Sequence, residues 1–374
     1  MPLASFYFWY FSTLAIIVAF FNLYAKQLGL TSLEISVLSA LHPLSRVLWP
    51  PFWSGLADRS GRRHLVTAAA SLGATIAFGA YFRAENFTSL LLAQVVFTFF
   101  WSTTLPLTET ATLEQASIGK SDYGRTRVWG SIGFILASFG LGPLLDRLGV
   151  RFTLSAILGC LVLTTIATFF APAPLGRHAH EEGSILAFLR RPQVRLFFLV
   201  GMLSQLSHAT MYNFLSIHLA DVGYSNKAIG LLWAFGVCCE VPVIRFSALI
   251  LGRFRRMRLL TFSLFVAVIR WSIFSLTTAY PLLLLAQAMH AVTFAVFHVA
   301  AVTHTYAIVP PALRARGQSL YSALSFGLGN FAGFLINGAV YDRVGAPACF
   351  AGSAAVALLA ALLSLGLREP RPLP

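Results

Sequence analysis

Two ionisable residues stand where ionisable residues are costly. Glu240 lies inside the apolar run 229–251 and Arg270 inside the apolar run 259–278, with the basic turn 252–258 between them. Each run is long enough to cross a bilayer as a helix. Glu240 is 12 residues before Gly252, and Arg270 is 14 after Arg256. At ~1.5 Å rise per residue both sit roughly 18–21 Å from the turn. That is near the bilayer centre, where a buried charge marks a functional site by default. Opposite charges at one depth on adjoining helices offset the cost by facing each other or a wet cavity. The chemistry open to them is ion pairing and proton exchange.

The same depth argument singles out further positions. Arg46 lies 12 residues before Asp58, as Glu240 lies 12 before Gly252. Glu109 and Arg127 are 18 residues apart and nearly symmetric about the turn 116–121, so they share a depth. Hydropathy alone leaves that pair open to two readings, solvated at the interface or part of a site. Arg46 can bind a carboxylate or pair with a carbonyl; Arg245, nearer its turn, reads better as a snorkelling side chain. His208, His290 and His298 also lie inside apolar runs. A histidine there is often one half of an interhelical hydrogen bond. His290 and His298 are eight residues apart, about 80° around a helix, and can share a face. No second cluster of ligand residues joins them, so no metal site is expected. His218 and His304 fall at span ends and are expected at the interface.

The elements that hold these residues must be membrane helices. The chain has 374 residues, 57% hydrophobic and 11% charged, with mean hydropathy +0.75. A soluble domain carries about 25% charged residues. Strand alternation bounded by turn signals is absent, which argues against an outer-membrane barrel. A net charge of +14 would suggest nucleic acid in a soluble protein. Here the arginines cluster in short loops between apolar runs, where they set orientation, so the expected partner is the lipid bilayer and no nucleic acid. Cys160, Cys238, Cys239 and Cys349 lie inside apolar runs without ligand spacing and read as small core residues. The first apolar run lacks a basic n-region and a cleavage site, so it reads as a retained helix. The dense aromatics of the first run (Phe6, Tyr7, Phe8, Trp9, Tyr10, Phe11) and of 97–101 read mostly as lipid-facing or interfacial. A minority of them could stack an aromatic substrate.

Twelve spans are expected, near 4–25, 34–56, 65–83, 87–112, 126–145, 152–171, 195–217, 228–251, 259–278, 281–306, 317–340 and 347–367. The polar segment 172–194 falls after the sixth. It divides the chain into an N-terminal six-helix bundle (1–171), a cytoplasmic linker (172–194) and a C-terminal six-helix bundle (195–374). Placing both termini and the even-to-odd loops in the cytoplasm puts 18 of the 27 Lys and Arg on that side and six on the other. The positive-inside rule decides for that orientation in the cytoplasmic (inner) membrane.

The halves repeat. At an offset of 196, Gly133, Gly142, Asp146, Arg147 and Gly149 meet Gly329, Gly338, Asp342, Arg343 and Gly345. Spans five and eleven are therefore equivalents, as in parallel six-helix repeats. At an offset of 194, Arg46 of span two falls on Glu240 of span eight, so the duplication sets opposite charges at one site.

Three groups of residues carry a family likeness. Gly55-Leu56-Ala57-Asp58-Arg59-Ser60-Gly61-Arg62-Arg63 resembles the loop signature of the major facilitator superfamily. The resemblance implies a conformational latch at Gly55, Asp58, Arg59, Gly61 and Arg62, with Asp58 holding a helix N-terminus and arginines. The signature's first glycine is Ser54 here. Pro106 to Glu109 with Gly124-Arg125-Thr126-Arg127 resembles the fourth and fifth helices of the superfamily's sugar, nucleoside and phenylpropionate proton symporters. That likeness implies a substrate site at Glu109 and Arg127. Glu240, Arg270 and His290 match a Glu, an Arg and a His on helices eight, nine and ten of the same symporters. The lactose-type members add a carboxylate three residues after the His; Thr293 stands there, so their relay does not carry over whole. Ser207-His208-Ala209, Leu232-Trp233, Glu240-Val241, Ile269-Arg270-Trp271, Met289-His290, Thr293-Phe294 and His298 resemble the 3-phenylpropionate transporter subgroup most.

The expectation is an all-α membrane protein of the major facilitator fold, with two pseudo-symmetric six-helix bundles. The implied activity is secondary transport, not catalysis: proton-coupled symport of an aromatic or other monocarboxylate. A sugar or nucleoside symporter and an exporter of the same fold are the alternatives. Glu109, Arg127, Arg270, Arg46 and His208 are the expected substrate residues, and Glu240, His290 and His298 the proton-coupling ones. No ATP-binding glycine loop is present, so no cofactor is expected and coupling falls to an ion gradient. The expected partners are a small-molecule substrate and protons, and the expected state is a monomer.

Overall fold

The computed structural model describes residues 2–172, 189–310 and 313–369, and those residues form helices and short connections without a strand. Nine helices among them are long and apolar enough to cross a membrane. The other expected spans are present in altered form. Span two breaks at Trp49, where Pro50 and Pro51 cannot continue the ladder, giving Ser32–Leu48 and Pro50–Ser60. Span seven is the 30-residue helix Pro192–Asp221, made less apolar by its internal Gln, Ser, His and Asn. Spans eleven and twelve run together in Arg316–Ser364, kinked at Gly345. The polar residues predicted as a linker lie mostly outside the described residues.

Local signals set the helix starts. Thr31 and Glu34 form a capping box ahead of span two, and Asn86 with Ser89 does so ahead of span four. Asp122 accepts the Arg125 N–H at 2.7 Å and starts span five. Each satisfies N–H groups that a helix end leaves unpaired.

The chain divides into two compact units. Unit one is drawn from Met1–His178 and Ser216–Ala234, and unit two from Ala179–Leu215 and Phe235–Pro374. In unit one, span one packs along spans five and six, and span three along spans four and six. In unit two, span nine packs along the joined helix of spans eleven and twelve.

The duplicated glycines have physical causes. A Cβ on Gly133 would lie 2.2 Å from the Phe8 carbonyl oxygen, and one on Gly329 2.6 Å from that of Met202. Span five thus meets span one as span eleven meets span seven. Gly149 and Gly345 close the repeated Asp-Arg-x-Gly exit with φ of 83° and 76°, a region that side chains avoid.

Within unit one the arginine-poor ends of spans five and eight are locked together. A Cβ on Gly142 would lie 2.4 Å from Asn226 O, and one on Gly230 2.2 Å from Ser138 O. Asp146 accepts the Asn226 N–H (2.8 Å), the Asn226 amide (2.9 Å) and the Lys227 N–H (3.0 Å), capping span eight. Lys26 and Asp221 pair nearby at 2.6 Å. Gly142→Val is expected to force these ends apart, since the neighbour is backbone that has no rotamer to change. Overpacking of this kind costs about 1–3 kcal/mol. Cysteines placed at 26 and 221 in a cysteine-free background should then cross-link several-fold less than with Gly142 intact.

Candidate functional site

The membrane-embedded charges of unit two form one chain. Arg270 is fully buried, and Glu240 and His290 are 8% and 6% exposed. His290 Nε2 lies 2.7 Å from Glu240 Oε1, and His290 Nδ1 lies 2.8 Å from Arg270 Nη1. An arginine N–H can only donate. His290 Nδ1 is therefore the acceptor, its proton sits on Nε2, and Nε2–H donates to Glu240. The imidazole is neutral and bridges a carboxylate and a guanidinium.

Arg270 has no donor to spare. Its Nε donates to Ala286 O (2.8 Å) and its Nη1 to His290 Nδ1 and Thr293 Oγ1 (2.9 Å). Its Nη2 donates to Gln287 Oε1 and Met211 Sδ, both at 2.9 Å. Five contacts meet the five N–H groups of a guanidinium, and the Trp271 ring lies 4.5 Å from its central carbon. The helix of span ten makes this possible. Its α-helical part ends at Ala288, and a π-helical turn runs Ala291–Val296. Gln287, His290 and Thr293, three residues apart, all reach one guanidinium. Such π turns recur at functional sites.

His208 is wholly buried beside this chain. Its Nδ1 is 2.8 Å from Ser204 O, so Nδ1 carries the proton and Nε2 is an acceptor. Nε2 has no protein partner among the described residues. The ring stands edge-on to Trp271 at 4.9 Å and 6.2 Å from the His290 ring. His298 stands apart from the chain. Phe294 lies between it and His290, with ring centroids 5.1 Å from His290 and 6.0 Å from His298.

Unit one holds a second cluster of a different kind. Arg127 lays its guanidinium on the Phe11 ring at 4.0 Å and near Tyr7 at 5.6 Å. Among the described residues it makes no ion pair. Glu109 lies within electrostatic reach of Arg127 and Arg46, and Arg46 reaches the Tyr10 hydroxyl. Gly130 leaves room for Arg127, since a Cβ there would lie 2.7 Å from Nη1. Tyr10 stacks on Trp101 at 4.2 Å and 7°. Phe6, Tyr7, Tyr10, Phe97 and Trp101 are all buried, so these aromatics form the wall of the cluster and not a lipid-facing belt. Their packing against one another, invisible in composition, outweighs their affinity for the interface.

Other expectations need correcting. His218 and His304, expected at the interface, are enclosed by protein, 8% and 3% exposed, and His304 packs on Phe197 at 4.6 Å. Of the cysteines only Cys349 is buried, and Cys238 is exposed. At the turn 55–63, Asp58 Oδ1 accepts Arg63 Nε at 3.0 Å and Nη2 at 2.6 Å. Arg63 also donates to Glu114 Oε1 at 3.3 Å. Arg59 and Arg62 are exposed, and Gly61 takes φ 63° at the helix end.

The comparisons with known proteins agree with this architecture. The MFS_1 like family profile matches residues 1–351. The chain belongs to the MFS_1 like family. As a member of this family it is a multi-pass membrane transporter of small molecules and not an enzyme. It is 32% identical over 350 residues to a probable 3-phenylpropionic acid transporter of Escherichia coli K12, covering 89% of this chain and 90% of that protein. It is 23% identical over 370 residues to a maltose permease of Geobacillus stearothermophilus, covering 97% and 94%. The crystal structure of the nucleoside transporter NupG superposes with a TM-score of 0.86 at 17% identity, covering 99% of each chain. The chain thus has the MFS fold.

The partners that sequence reasoning missed follow from this geometry. Gln287 and Thr293 sit three residues either side of His290, so helical spacing alone could have paired them with it. Met211, Phe11 and Gly130 carried no such signal, because each acts through a contact with a distant span.

Proposed function

We propose that the protein is a proton-coupled symporter that imports small organic monocarboxylates, aromatic ones foremost, across the cytoplasmic membrane. One observation supports this most: the two buried-site arginines differ in what they have left to offer. All five donors of Arg270 are engaged. Arg127 rests its flat face on Phe11 and keeps its N–H edge for a ligand. Arg127 therefore takes the carboxylate, with Arg46 as second cation, and Tyr10, Phe11 and Trp101 flank an aromatic ring. Glu240, whose Oε1 accepts from His290, takes the proton. Protonation cancels the charge that balances Arg270, and the bridge changes state. His208 Nε2 is the further acceptor next to that bridge. Monomeric function, two six-helix halves (1–171 and 195–374) and cytoplasmic termini belong to this reading, as does latching by the turn 55–63.

The test uses purified protein in proteoliposomes. Counterflow of radiolabelled 3-phenylpropionate, a nucleoside and a disaccharide is measured, then uptake with and without an inward proton gradient. The acid should exchange and should accumulate only with the gradient. Arg127→Ala should raise the KM for the acid about 10–100-fold, since a charge-assisted hydrogen bond contributes about 1.5–3 kcal/mol. Exchange of the nucleoside or sugar but not the acid would favour the second reading. That reading rests on Glu109, a carboxylate able to accept hydroxyl hydrogen bonds beside the same aromatics.

A further inference from the structure

The two halves of the chain treat equivalent turns differently. In the first half Asp58 and Glu114 hold Arg63. At the offset of 194, Asp58 becomes Gly252 and Arg59 becomes Arg253, in the turn Gly252-Arg253-Phe254-Arg255-Arg256. The second turn has no carboxylate of its own, where the first has Asp58. Glu369, beyond span twelve, replaces only part of it. Its Oε1 accepts the Met257 N–H at 3.0 Å, and its Oε2 lies 3.6 Å from Arg256 Nε. Arg256 is completed by Thr303 O at 3.2 Å. Arg253 and Arg255 have no acidic partner among the described residues, and both are exposed.

These residues share one open depression. Leu251, Gly252, Arg253, Phe254, Arg255, Arg256, Thr303 and Glu369 line a cavity of about 570 Å³ at the arginine-rich end of unit two. The helix leading into it, Ser247–Arg253, has no buried residue. Leu249 is 70% exposed, and Phe246, Phe254 and Phe262 are more than half exposed. An apolar flank thus runs up to two guanidiniums, Arg253 and Arg255, without an acidic partner among the described residues, at the level where a hydrocarbon region would give way to headgroups.

We infer that this cavity binds the phosphodiester headgroup of an anionic phospholipid, with Arg253 and Arg255 supplying the cations. Guanidinium forks match phosphate oxygens bidentately. Basic residues at a membrane surface gain further from the negative potential of anionic lipids. A free anion would use the cations but not the apolar flank, and that flank selects the lipid. Glu369 bounds the site and confines the headgroup to the Arg253–Arg255 side.

The experiment measures the thermal unfolding midpoint of the full chain in a neutral detergent. Short-chain phosphatidylglycerol, short-chain phosphatidylcholine and inorganic phosphate are added at matched concentrations. Phosphatidylglycerol should raise the midpoint by several degrees, and the other two should not. Arg253→Gln/Arg255→Gln should lose at least half of that shift, and Arg147→Gln/Arg343→Gln should keep it. Native mass spectrometry of the same samples should show fewer retained phosphatidylglycerol molecules on Arg253→Gln/Arg255→Gln only. An undiminished shift and lipid count in that variant, or no shift at all, would overturn the inference. So would an equal shift from phosphate, which would make this a free-anion site, or from phosphatidylcholine, which would make it acyl-chain binding alone.

Discussion

Replacing Glu240 with glutamine is expected to abolish accumulation driven by a proton gradient and to leave substrate exchange at a rate near wild type. The amide oxygen of glutamine still accepts the His290 Nε2–H, so the 2.7 Å contact survives the change. What disappears is the site where a proton can be bound and released. Glutamine has the charge of a protonated glutamate, so the variant is fixed in the loaded form. A loaded symporter can carry substrate back and forth but cannot couple it to the gradient. Proteoliposome counterflow and gradient-driven uptake, measured on one preparation, separate the two activities. Retained accumulation would place the coupling proton elsewhere, and lost exchange would make Glu240 part of the substrate site.

Arg270→Ala should be the most destabilising single change among the intramembrane charges. It removes the buried counter-charge of Glu240. It also strands Ala286 O, His290 Nδ1, Thr293 Oγ1 and Gln287 Oε1, which the guanidinium satisfies at 2.8–2.9 Å. Breaking a buried ion pair from one side costs about 3–5 kcal/mol. The thermal midpoint in detergent should fall sharply, and expression with it. Arg270→Lys should recover only part of the loss, because an ammonium has three donors and no planar fork. The double change Arg270→Ala with Glu240→Gln should be more stable than Arg270→Ala alone, since no charge is then left unpaired. A double variant as unstable as the single one would mean that the packing of the guanidinium, not its charge, holds this region.

The sequence announced the fold through quantities that sum over many residues. Apolar runs of bilayer length, the 18-to-6 division of cations and the repeated Asp-Arg-x-Gly exit each average over local detail. Gly149 and Gly345 were legible as a repeat because a positive φ leaves glycine little competition. Depth arithmetic brought Glu240 and Arg270 to one level and left open whether they face each other or a wet cavity. His290 stands between them instead, and that is a matter of rotation about the helix axis, which a π turn after His290 alters. Spacing rules built on 3.6 residues per turn fail at such a turn. The division of labour between Arg127 and Arg270 was also illegible. Both read as intramembrane arginines, and only their partners, drawn from distant spans, tell a saturated guanidinium from an open one. The aromatics of spans one and four were misjudged for the same reason. A Tyr10 that stacks on Trp101 across 91 positions leaves no trace in either segment.

The junction of spans five and eight has a thermodynamic consequence. Gly142 and Gly230 let main chain rest on main chain, with Asn226 O and Ser138 O at the contact. Apolar groups are packed beside them, Phe20 against Gly230 among them, so parting these surfaces would wet both peptide groups and hydrocarbon. What resists separation is the carboxylate of Asp146 on its N–H donors and the exposed pair Lys26–Asp221. Exposed ionic contacts weaken as the Debye length shortens. The ionic part of what holds this end together is therefore expected to weaken as salt rises.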